Sequence, residues 1–122
     1  MSEQPRATYV FDVHPLLSYA RSDSLLIPSI VAASIEHNQY IAVSAVTLAM
    51  AYCELTEDEA LILDMLSGGH LAMAFVMKPL DASTARYLGG QARVLSSQPS
   101  LSTLHTADIA QQAAATVVTG DR

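Results

Sequence analysis

The chain has 122 residues, 51% of them hydrophobic and 15% charged, with six Lys and Arg against twelve Asp and Glu and a formal net charge of −6. That length fits one domain spanning 1–122 with a sizeable core. The acidity argues against broad electrostatic binding of nucleic acid, which needs a basic surface, and suits a basic protein partner instead. No apolar stretch reaches the roughly 18 residues of a membrane span, no basic-then-apolar secretory segment opens the chain, and the single cysteine, Cys53, excludes an internal disulfide and fits a reducing cytoplasm.

Residues 1–7 read as a flexible tail. Thr8 to Val13 is β-branched and aromatic, the composition of a strand. His14 to Arg21 reads as a short helix with Pro15 tolerated in its first turn. Asp23 or Ser24 can cap a second helix running to His37, with Leu25, Leu26, Ile30, Val31 and Ile35 at helical spacing. Ile41-Ala42-Val43 is a second strand, and Ser44 can cap the helix that carries Val46, Leu48, Ala49, Met50 and Cys53. Thr56 and Glu59 form a capping box for a helix that Gly68-Gly69 should stop. Ala72 to Met77 is a third strand, closed by Lys78-Pro79. Asp81 or Ser83 caps a helix through Arg86, Leu88 and Val94, weakened in its middle by Gly89-Gly90, at roughly 1 kcal/mol per glycine against alanine. Ser96 to Ser100 is a loop, Ser102 or Thr103 begins a last helix to about Ala114, and Thr116-Val117-Val118 is the final strand.

Strands alternating with helix pairs imply an α/β fold of three layers, α/β/α, with a mostly parallel four-stranded sheet. The first and last strands each end in an acid, Asp12 and Asp121. Ligands collect at the carboxyl edge of such a sheet, and two carboxylates there suggest a site for a hard cation such as Mg²⁺. Asp12 has an alternative role as the cap of the next helix. His14 and His105 could join Asp12 in a His-plus-carboxylate site for a transition metal, although two ordinary partly buried histidines are the simpler reading. His37 and His70 fall at helix ends or turns, and His37 suits the negative end of a helix dipole. Cys53 lies on an apolar helix face and reads as a small core residue. Met50, Met65, Met73 and Met77 read as core fillers. Glu54, Glu57, Asp58 and Glu59 read as a capping box on a solvated face, with an acidic contact surface as the alternative. No glycine-rich phosphate loop or zinc motif is present.

Four segments carry a resemblance to a known family. They are Tyr9-Val10-Phe11-Asp12 followed by Leu16-Leu17, the run Ile41 to Ala49, Pro79-Leu80-Asp81-Ala82, and Ala115 to Asp121. In this order and spacing the chain resembles the PIN domain, the fold of many VapC-type toxin ribonucleases. The resemblance implies three or four acidic residues holding one or two Mg²⁺ or Mn²⁺ ions that activate water for attack on an RNA phosphodiester. It places the first acid at Asp12 and the last at Asp121, with Thr119 as its hydroxyl companion. The second acid would fall on Met50 and the third on Thr103. Glu54, about 6 Å further along the helix axis, and Asp108, more than a turn past Thr103, are the nearest substitutes. The resemblance also implies a homodimer, and a further helical turn and edge strand beyond Arg122.

Two functions follow as expectations. The first is a degenerate PIN-like domain, a binding or scaffold protein with little or no nuclease activity and no required cofactor. The second is a Mg²⁺- or Mn²⁺-dependent endoribonuclease of the toxin type, acting on RNA and paired with an antitoxin-like protein. In the second, Asp12 and Asp121 bind metal with help from Glu54 or Asp108.

Overall fold

The computed structural model describes residues 6–68, 74–94 and 100–119. Among them the elements follow in the order β1 (Ala7–Phe11), α1 (Val13–Arg21), α2 (Leu26–Glu36), β2 (Tyr40–Ser44), α3 (Ala45–Glu54), α4 (Glu57–Gly68), β3 (Phe75–Lys78), α5 (Ala82–Val94), α6 (Leu101–Ala113) and β4 (Thr116–Val118). The sheet has the order β3-β2-β1-β4, and every neighbouring pair is parallel. The α/β architecture expected from the alternation is therefore present, and the sheet is wholly parallel.

The two inner strands are apolar on both faces, as a covered parallel sheet requires. Val10, Phe11, Ile41, Ala42 and Val43 are all fully buried. Alternation along the strands splits the core in two. Phe11, Ile41, Val43 and Phe75 pack with Leu16, Leu17, Ile27, Val31, Leu63 and Leu66 from α1, α2 and α4. Val10 and Ala42 pack with Ile109 and Ala110 of α6. A register irregularity between Ala7 and Tyr9 brings Ala7 to the same side as Val10. Strand β1 thus takes in the last residue of the expected tail, because that alanine has a buried place under α6.

Local chemistry explains the helix boundaries. Ser44 Oγ accepts from the backbone N–H of Val46 and Thr47 and caps α3. The capping box forms as expected: Glu59 N–H donates to Thr56 Oγ1 and Thr56 N–H to Glu59 Oε1. Asp81 Oδ1 accepts from Thr84 N–H and starts α5. Ser24, rather than Asp23, meets α2 through Leu26 N–H, because Asp23 is taken by the Ser18 hydroxyl. Arg21 ties α1 to the α3–α4 junction, donating from Nη2 to the Glu54 carbonyl at 3.1 Å and lying 3.7 Å from the Glu59 carboxylate.

Several expectations are corrected. Strand β1 stops at Phe11 instead of Val13, since Val13 already turns into α1. Ser100 caps α6, so Ser102 and Thr103 lie inside its first turn. Strand β3 starts at Phe75; residues 72–73 lie outside the described residues, as do Gly69 and His70. Helix α5 runs to Val94 through Gly89-Gly90, as expected. Cys53 and Met50 are exposed, as are Met65 and Met77, and none fills the core. The reason for the first two is that α3 buries the stripe of Thr47 and Ala51, which turns Met50 and Cys53 away. Met73 lies outside the described residues. No helix of the described residues is long and apolar enough to cross a membrane.

Candidate functional site

Parallel strands all present their carboxyl ends to one edge, and there the expected site lies. Phe11 stands in register with Val43 on one side and Val118 on the other. One residue further on, Asp12, Ser44 and Thr119 come to the same edge. Asp12 N–H donates to the Val118 carbonyl at 3.1 Å, which holds β1 against β4 up to this point. The chain order reverses between these strands, since β2 and β3 step away from β1 on one side and β4 returns on the other. Such switch points form crevices in open parallel sheets.

Asp12 occupies the N-cap position of α1, yet its side chain makes no cap hydrogen bond. The capping role open to this acid is not the one it plays. Asp121, the second expected acid, lies outside the described residues. Its companion Thr119 is exposed at the end of β4.

The positions of the other two acids hold no carboxylate. Met50 sits on the outer side of α3 with 41% of its surface exposed. Thr103 is exposed on α6 and is committed to Ser100, which bonds both its N–H and its hydroxyl. Glu54, the nearest substitute on α3, is exposed, and its carbonyl is held by Arg21. Asp108 accepts from the Gln112 side-chain amide and faces grooves shared with α5. His14 is exposed and lines a cleft with Arg21 and Asp23, whereas His105 is buried on α6. Among the described residues no three His, Cys, Asp or Glu side chains form a group able to hold a metal ion. A thioether and a hydroxyl are poor substitutes for the carboxylates that Mg²⁺ demands, so the described donor set does not fit the metal that the resemblance implies.

What fills the end of β2 is an uncharged network. His105 Nδ1 lies 2.6 Å from Ser44 Oγ, and the residue is only 2% exposed. Thr47 Oγ1 lies 2.6 Å from Ser102 Oγ and 3.2 Å from Thr106 Oγ1. Ser44 Oγ already accepts from two backbone N–H groups, so the hydroxyl proton is what it has to give, and His105 Nδ1 is the acceptor. The ring proton is then on Nε2. Burial pushes the imidazole pKa down, with Asp108 and then Asp81 pulling it partly back, and a neutral ring agrees with that tautomer. The Ser44–His105 contact has the length of a nucleophile–base pair. Ser44 is nevertheless fully buried, and a nucleophile that no substrate can reach performs no acyl transfer.

Sequence reasoning found Ser44 only as a cap and Ser102 only as a helix start, and gave no role to Thr47 or Thr106. The signal was present in α6: Ser102, His105, Thr106, Ile109 and Ala110 recur at spacings of three and four and are the helix's buried residues. A half-polar stripe at core spacing announces a buried hydrogen-bonded seam.

No family model, curated protein or solved structure matches the chain.

Proposed function

We propose that this is a degenerate PIN-like domain that serves as a binding or scaffold protein, with nuclease activity absent or vestigial. One observation carries the reading. Where the resemblance expects carboxylates, α3 offers an outward Met50 and α6 a Thr103 spent on its own helix start, while the space between these helices holds the neutral Ser44–His105 and Thr47–Ser102–Thr106 network. A site without its anionic walls has little means of concentrating divalent cations. The net charge of −6 further opposes association with RNA in the absence of such cations. As a scaffold the chain would engage protein, either a second copy or a basic antitoxin-like partner, and exposed Leu25, Leu26, Leu61 and Met65 support that role.

The ribonuclease reading keeps one observation in its favour: the Asp12 carboxylate at the switch point is not used in capping. Both readings meet in one experiment. Millimolar Mn²⁺ should leave the melting temperature unchanged, whereas a native-state ligand at 100 times its Kd would add about 2.7 kcal/mol. Structured and single-stranded RNAs should stay intact with the parent chain and with Asp12→Asn alike. Cleavage by the parent that Asp12→Asn abolishes would overturn the scaffold reading.

A further inference from the structure

A groove of about 430 Å³ lies between the end of β3, the start of α5 and the outer side of α6. Tyr40, Lys78, Asp81, Thr84, His105 and Asp108 line it. The imidazole is the informative member. Its Nδ1 edge is bonded to Ser44 within the core, and among the described residues no hydrogen bond reaches Nε2. Among the described residues no buried side-chain nitrogen or oxygen is sealed in without a partner, so Nε2 keeps some contact with solvent, and this almost wholly buried residue is one of those that line the groove. With the proton on Nε2, the ring has a donor to offer a molecule in the groove.

The charges around it are opposed and unpaired. Lys78 Nζ lies over the Tyr40 ring, 5.5 Å from its centroid, and among the described residues it is in an ion pair with neither Asp81 nor Asp108. Asp81 is held ionised by the Thr84 backbone and side chain and the Ser83 hydroxyl. A simple anion entering the groove meets two carboxylates, and a simple cation meets the lysine. A molecule carrying both charges meets complementary partners at each end. A metal ion is not the occupant this donor set suits, since His105, Asp81 and Asp108 do not form a ligand group.

We propose that this groove binds a small zwitterion of the α-amino-acid type. Its carboxylate lies against Lys78 and His105 Nε2–H, and its ammonium faces Asp108 and Asp81. Ile109 and Pro79 supply an apolar wall for a side chain. The inference is independent of the nuclease question, because neither RNA nor a divalent cation takes part.

The standard amino acids, added singly at millimolar concentration in calorimetric and amide-shift titrations, test it. At least one should bind saturably and move the amide signals of Lys78, Thr84 and Asp108. The deaminated acid and the decarboxylated amine of that amino acid should each bind at least about tenfold more weakly, as should the Lys78→Met variant with its fold intact, a loss of about 1.4 kcal/mol or more. The proposal is overturned if no amino acid binds saturably, or if either single-charge analogue binds as well as its parent. Undiminished binding by Lys78→Met would overturn it too.

Discussion

His105 shows how a single residue takes its chemistry from its surroundings. In the sequence it is one of four histidines, and its place near an expected acid made it a candidate metal ligand. In the fold it is a core residue whose Nδ1 accepts from Ser44 and whose charged form burial disfavours. The consequence for stability has a definite sign. The folded-state pKa lies below the unfolded value of 6.5, so the unfolded chain takes up the proton first. The favourable contribution of the neutral ring is complete above pH 6.5 and is lost as pH falls below that value. The melting temperature should therefore decline from about pH 6.5 toward pH 5. His105→Gln, whose side-chain oxygen can still accept from Ser44, should flatten that limb. An unchanged slope in the variant would show that the His105 imidazole does not govern the pH response.

Helix α5 makes the corresponding point at the level of an element. Two adjacent glycines weaken a helix because they carry the largest backbone entropy loss. The helix nevertheless runs unbroken from Ala82 to Val94. Asp81 stabilises its first turn, Leu88 is fully buried, and Tyr87 accepts from the Gln91 amide one turn on. Packing on α6 and a good cap together outweigh the local preference. A Cβ built on Gly89 or Gly90 meets nothing within 4 Å. Gly89→Ala and Gly90→Ala should each stabilise the chain by roughly 0.5–1 kcal/mol, read as a higher urea midpoint at constant m-value. A loss of stability in either variant would mean that the glycine serves a contact outside the isolated fold.

For the whole molecule, the decisive arrangement is the sheet with unequal coverings. Helices α1 to α4 enclose the larger cluster on one face, and α6 covers the smaller one on the other. The Thr47 hydroxyl joins α3 to α6 across this division through Ser102 and Thr106. A buried seam of this kind fixes the relative placement of two helices, because a slip of either would strand several hydroxyl groups at once. Thr47→Val keeps the volume and removes the shared partner of both hydroxyls. It should destabilise the chain by about 1–3 kcal/mol in urea unfolding, and Thr47→Ser should recover most of that. Equal stability of the valine variant would show that the seam is replaceable by apolar contact.

How much could be read from the sequence depends on the range of the forces involved. The strand runs, the Ser44 and Asp81 caps, the Thr56–Glu59 box and the βαα alternation were legible because each rests on residues within a few positions of one another. That alternation, with apolar inner strands, was enough to establish an α/β fold with a parallel sheet. The outward placement of Met50 and Cys53 was not legible, since Ala49, Met50, Ala51 and Cys53 are all apolar and only the neighbours of α3 select which face is buried. Nor was the union of Ser44 with His105, 61 positions apart, or of Thr47 with Ser102. Hydrogen bonds between distant segments leave no local periodicity, and their partners are chosen only when the sheet order brings α3 and α6 together.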